Sequence, residues 1–139
     1  MIVIDASAIT EFLTSSGTLA RKVRERIATE DELHAPYLVD TEVASSVIGM
    51  GKGTRGGKPK ISKGEVDRYL KEFAELPLTR HPALPLTARV RTLAANLSVY
   101  DATYVALAEV LGLTLVTTDS RIRRGVGRIA RCDIVDFEA

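Results

Sequence analysis

Two short apolar runs, each stopped by an aspartate, constrain this chain more than any other feature. Ile2-Val3-Ile4 ends at Asp5, and Leu115-Val116-Thr117-Thr118 ends at Asp119. A brief β-branched or apolar run bounded by a polar residue reads as a buried strand. Between the two runs the apolar spacing turns helical several times. Ala8, Ile9, Phe12 and Leu13 recur at helical spacing up to Gly17, and Leu19, Val23 and Ile27 mark an amphipathic helix. Leu33 to Tyr37 is a strand candidate demoted by Pro36, which cannot donate to a ladder. Helical spacing resumes from Leu38 to about Gly49, and Ser62-Lys63-Gly64-Glu65 has capping-box form ahead of Val66, Leu70 and Phe73. Pro77, Pro82 and Pro85 mark a connection with a short strand about Leu78, before another helical pattern from Thr87 to Leu97.

The helix over Ser98–Leu111 carries Tyr100, Tyr104, Leu107 and Leu111 on one stripe, with Gly112 as its stop. Both tyrosines are expected in the core. Ile134-Val135 makes a last strand. Strands alternating with helices predict an α/β fold with a mainly parallel sheet. Right-handed crossovers place the C-terminal ends of its parallel strands on one side, where ligands bind in open sheets.

A length of 139 residues suits one domain over 1–139. Nineteen Lys and Arg against eighteen Asp and Glu leave a formal charge of +1, which neither demands nor excludes a nucleic acid. The lone cysteine, Cys132, excludes an internal disulfide and a cysteine-ligated zinc. No apolar run approaches the ~20 residues that span a bilayer, and the first residues lack a signal-peptide pattern, so a cytoplasmic protein is expected. Positive charge is concentrated in two places. One is a Gly/Lys-rich insert, Gly51–Lys63, holding Lys52, Arg55, Lys58, Lys60 and Lys63. The other is the stretch with Arg121, Arg123, Arg124, Arg128 and Arg131.

Asp5 and Asp119 end strands that should share one rim of the sheet. Asp101 stands three residues into the Ser98 helix, and Glu42 lies in the first turns of the helix from Leu38. Crowded carboxylates raise one another's pKa unless a cation compensates. With His34 and His81 read as structural and no cysteine pair, that cation is a hard one such as Mg²⁺, bound by oxygen. Each acid also has an ordinary reading. Asp101 fits the third position of a Ser98 capping box, Asp5 and Asp119 fit strand-end turns, and Glu42 fits a solvated helix face. Asp40 is read as the N-cap of its helix, leaving Glu42 as the site candidate.

The segments Ile2-Val3-Ile4-Asp5-Ala6-Ser7-Ala8, Pro36 with Leu38 and Glu42-Val43, Tyr100 to Ala108, and Leu115 to Asp119 resemble, in order, the PIN domain. The small size is similar to the VapC-type toxins of toxin–antitoxin pairs. The resemblance implies a three-layer α/β/α sandwich and a Mg²⁺-dependent endoribonuclease, Mn²⁺ being the other candidate ion. Its four acids fall on Asp5, Glu42, Asp101 and Asp119, with Asp5, Asp101 and Asp119 as metal ligands. Its small hydroxyls fall on Ser7 and Thr117, which otherwise fit ordinary strand-end packing.

The family further implies a cognate antitoxin, an RNA substrate, a homodimer and no membrane. Arg121, Arg123 and Arg124 are the expected contacts to RNA or antitoxin, since cations at phosphates give affinity without reading sequence. The insert is longer than a minimal member requires. The alternative is a non-catalytic PIN-like module that binds RNA or a partner. A haloacid-dehalogenase-like phosphatase needs an acid where Ser7 stands, and a receiver domain needs paired acids beside the first strand.

Overall fold

The N-terminal triplet forms β1 (Ile2–Ile4), wholly buried, and Asp5 caps the helix that follows. The computed structural model describes residues 1–53 and 56–138; Thr54 and Arg55, inside the basic insert, lie outside the described residues. After β1 come α1 (Ala6–Thr14), α2 (Thr18–Ala28), β2 (Leu33–Pro36), α3 (Val39–Lys52), α4 (Lys63–Glu75) and β3 (Leu78–His81). The second half holds α5 (Thr87–Leu93), α6 (Val99–Leu111), β4 (Thr114–Val116), α7 (Ser120–Val126) and β5 (Ile134–Val135). Short 3₁₀ turns precede α5 and follow α7.

The five strands pair in the order β3-β2-β1-β4-β5, every pair parallel. The chain steps from β1 outward to β3, then returns across the sheet to β4 and steps outward to β5. Right-handed crossovers therefore place α1 to α4 on one face and α5 to α7 on the other. The packing agrees: α1 meets α2, α3 and α4, whereas α6 meets α5, β1, β2 and β4. The strand order reverses between β1 and β4, the position at which open α/β sheets hold ligands. Asp5 and Asp119 leave the sheet at that switch point.

The amphipathic faces close one core. Val23 of α2, Val39, Val43 and Val47 of α3, and Tyr69 and Phe73 of α4 are buried with Ile9 and Leu13 of α1. The Ser62 capping box forms in full. In α6 every residue from Ala102 to Ala108 is buried, so the helix shows no single inward stripe. Gly112 ends it in the left-handed region at φ 67°, the conformation that favours glycine. The Glu109 carboxylate of α6 accepts from Arg89 at 2.7 and 3.0 Å and from the Arg131 backbone N–H at 2.6 Å, tying α5 and the approach to β5 onto α6.

Several expectations need correction. The candidate that Pro36 demoted is a full strand, and β2 lies between β1 and β3. Its pairing with β1 stops at His34, while the Tyr37 N–H bonds His81 O at 2.9 Å. Donors alternate along a parallel strand, so the N–H that Pro36 lacks belongs to the side where pairing has ended. The basic insert is shorter than its composition suggests, because Gly51 and Lys52 belong to α3 and Lys63 opens α4.

Asp40 is not a cap. Leu38 holds that position, and the Asp40 carboxylate accepts from Arg80 Nε at 2.8 and 2.9 Å. The helix from Thr87 stops at Leu93, short of Leu97. His34 and His81, read as structural, bond to one another. Nδ1 of His34 lies 2.9 Å from Nε2 of His81, and its Nε2 lies 3.0 Å from Glu32 Oε2.

Gly125 lets α7 pack against the turn before α6. A Cβ there would come within 2.5 Å of Leu97 Cδ2 and 2.9 Å of the Asn96 carbonyl oxygen. Glycine to alanine inside a helix ordinarily stabilises, by up to ~1 kcal/mol. Here the sign should reverse, with Gly125→Ala destabilising by about 1–3 kcal/mol in urea unfolding because overpacked backbone must shift.

Candidate active site

Four elements deliver one carboxylate each into a single cleft of ≈ 470 Å³. Asp5 comes from the end of β1, Glu42 from the first turns of α3, Asp101 from the first turn of α6 and Asp119 from the start of α7. Thr41, Ser45 and Ser46 of α3 form one wall, and Tyr100 and Tyr104 of α6 belong to the other. The walls therefore come from opposite helical layers.

Asp5 is only 4% exposed. Its Oδ1 accepts from Ser7 Oγ at 2.7 Å and from the Ala8 N–H at 3.0 Å, and its Oδ2 accepts from Thr117 Oγ1 at 2.5 Å. The Ser7 hydroxyl also accepts the Thr118 N–H at 3.1 Å, and Thr117 Oγ1 accepts the Asp119 N–H at 3.0 Å. Ser7 and Thr117 thus lock the end of β1 to the end of β4. Burial pushes the Asp5 carboxyl up to about 6 despite these donors, with the Asp101 charge adding to the rise.

Burial also raises Asp101, and the charge of Asp119 reinforces it. The Asp101 N–H donates to Ser98 Oγ at 3.0 Å, so the backbone has the capping geometry while the carboxylate faces the cleft. Glu42 is raised by burial, partly offset by the Tyr104 hydroxyl, which donates to its Oε1 at 2.7 Å. Burial holds the Tyr104 phenol far above its ordinary range, so it remains a donor.

Asp119 behaves differently. Arg121 forks onto its carboxylate, Nε to Oδ1 at 2.9 Å and Nη2 to Oδ2 at 2.8 Å, and holds it below the usual range. The Arg121 side chain is 80% exposed, so solvent weakens this pair. Arg124 also adds positive potential at Asp119. Arg123 faces elsewhere: it pairs with buried Asp136 at 3.1 Å and donates to the Ile134 carbonyl, fastening α7 to β5.

The cleft offers carboxylate and hydroxyl oxygens, with neither imidazole nor sulfur in its lining, which is the donor chemistry of a hard divalent cation. Burial raises the pKa values of Asp5, Asp101 and Glu42, and the positive charge of an ion would oppose that rise. Among the described residues, no three His, Cys, Asp or Glu side chains converge as a ligand group in their present rotamers. Asp119 is turned to Arg121 and Glu42 to Tyr104. The donor types fit a divalent ion, and seating it on Asp119 requires that side chain to turn from Arg121.

Tyr100 corrects its expected core placement: it is 62% exposed and lines the cleft. Tyr104 is in the core as expected, but its hydroxyl reaches the site. Helical spacing could have found Ser45, Ser46 and the Tyr104 hydroxyl. Glu42, Ser45 and Ser46 stand at i, i+3 and i+4, and Asp101 and Tyr104 at i and i+3, so each set shares a face.

A wholly parallel α/β/α sandwich with an acid-lined cleft at its switch point is the class that fold and site define. The chain belongs to the PIN-domain family, whose family model matches residues 2–127. It is 40% identical over 122 residues to ribonuclease VapC9 of Mycobacterium tuberculosis, covering 88% of both chains. It is 33% identical over 138 residues to ribonuclease VapC12 of the same organism, covering 97% of this chain and 99% of that protein. Among solved structures, a toxin–antitoxin complex from Klebsiella pneumoniae matches with a TM-score of 0.67 at 14% identity, each chain covered in full, a likeness of fold.

The buried Asp5 charge has a consequence for stability. The ordinary value is 3.8 and the folded value about 6, so the penalty is absent below about pH 4, grows with rising pH and is complete above about pH 6. In metal-free buffer at pH 7, Asp5→Asn should therefore melt higher than the parent, by roughly 5 °C. The difference should vanish near pH 3.5, as read by thermal melts across pH.

Proposed function

We propose that this protein is a VapC-type endoribonuclease, the toxin of a toxin–antitoxin pair, which hydrolyses RNA phosphodiester bonds with Mg²⁺ or Mn²⁺. The observation that carries the reading is the convergence of Asp5, Glu42, Asp101 and Asp119, from four separate elements, on one cleft. The 33–40% identity to proteins named VapC ribonucleases supports the same reading.

Asp5, Asp101 and Asp119 would hold the ion, the last after Arg121 leaves it. A divalent ion there supplies a Lewis acid that neutralises charge developing on phosphoryl oxygens and makes water more acidic. The remaining work falls to the chain itself. Ser7 and Thr117 fix both oxygens of Asp5, the preorganisation that sets ligand orientation. Tyr104 steadies Glu42 on the facing wall, and the raised Glu42 carboxyl is suited to orient the attacking water and accept its proton. Arg121 and Arg124 offer positive charge to phosphates beside the scissile one. Arg123 has no part in this scheme, because Asp136 engages it away from the cleft.

The likeness to the Klebsiella toxin–antitoxin complex supports a cognate antitoxin as partner. A homodimer and a cytoplasmic location belong to the same proposal. No helix among the described residues is long and apolar enough to cross a membrane.

Purified protein incubated with RNA and Mg²⁺ or Mn²⁺ should cut it, and a chelator should abolish the cut. Asp5→Asn and Asp101→Asn, folded by circular dichroism, should each lose at least about 100-fold in rate. Cleavage that survives both substitutions or the chelator overturns the metal-nuclease reading. RNA that is bound but never cut points instead to a binding module.

A further inference from the structure

The two walls of the acidic cleft differ in chemistry, and neither difference is used by the hydrolysis described above. The α3 wall presents Thr41, Ser45 and Ser46, all exposed, and their hydroxyls make no hydrogen bond among the described residues. The α6 wall presents the exposed ring of Tyr100, next in sequence to Asp101, and its hydroxyl is likewise in no hydrogen bond among the described residues. Tyr100 contrasts with Tyr104 one turn on, which is buried and tied to Glu42. The exposed Tyr100 ring buries little surface in the fold, so its face remains open to a ligand in the cleft.

We infer that Tyr100 is a stacking platform for one unpaired nucleobase next to the scissile phosphate, with the α3 hydroxyls facing that nucleotide's ribose or base edge. This rests on the ribonuclease reading and adds to it a residue that positions the substrate.

The chemistry favours RNA over a protein at this position. Aromatic rings bind bases of any identity through the π face, and single-stranded RNA is recognised by such stacking of splayed bases. Neutral hydroxyls can both donate to and accept from a 2′-hydroxyl or base edge. They add no charge to a cleft that already holds four carboxylates. The cations that would meet the flanking phosphates, Arg121 and Arg124, lie at the Asp119 side of the same cleft. Duplex RNA cannot offer a free base face without first unstacking, so pairing should weaken binding.

The test uses the full chain carrying Asp101→Asn, which prevents turnover, with a labelled single-stranded RNA in Mg²⁺ followed by fluorescence anisotropy. Adding Tyr100→Ala should weaken binding by about 10-fold or more, and Tyr100→Phe should restore it. Tyr37→Ala, a comparably exposed tyrosine outside the cleft lining, should leave binding unchanged. An abasic residue placed in turn along the RNA should, at one position, erase the difference in affinity that Tyr100→Ala makes. In the active chain, Tyr100→Ala should raise KM far more than it lowers kcat.

Equal affinity of the Tyr100→Ala protein and its parent for RNA overturns the inference while leaving the ribonuclease reading intact. So does a loss confined to binding of a protein partner. Equal affinity for the strand and its duplex also overturns it. If the parent neither binds nor cuts RNA, the ribonuclease reading itself has failed, and the inference with it.

Discussion

A carboxylate held inside a protein without a countercharge is the constraint around which this site is organised. Asp5 caps α1, ends β1 and is almost sealed from solvent, and three protein donors do not remove the cost of its charge. Ser7 and Thr117 make its position possible. They stitch β1 to β4 at the place in the sheet where neighbouring strands send their connections to opposite faces. The other acids surround that point half-buried, and each has a different neighbour: a serine cap, a buried phenol, an arginine fork. Four chemically similar groups are thereby given four different electrostatic settings.

The sequence disclosed most of this frame because the frame is local. An apolar run stopped by an acid reads as a strand, so β1 and β4 could be read directly, although β4 ends at Val116 and both Asp5 and Asp119 cap helices. The Ser62 box and the Gly112 stop were legible for the same reason, since capping chemistry spans three or four residues. What stayed hidden depends on contacts between distant parts of the chain. The His34–His81 pair joins residues 47 apart, and the Arg123–Asp136 pair depends on where α7 meets β5.

Tyr100 was misplaced for a subtler reason. Ala102 to Ala108 are buried on all sides of α6, so periodicity could not say which face looked inward. Its first turn is open to solvent at Val99 and Tyr100, where the rule for the middle of the helix no longer applies. Pro36 illustrates a similar failure. Its ring excludes a hydrogen bond, but only on a side where pairing had already stopped.

The cleft lies between layers rather than within one. Its α3 wall belongs to the half-sandwich built on α1 to α4, and its α6 wall to the other half, and the hydrogen bond from Tyr104 to Glu42 reaches across. Whatever lodges in the gap grips both halves together and is released when either one melts. Occupancy and heat resistance are then two readings of one quantity, and the temperature at which the chain comes apart serves as a gauge of how full its groove is.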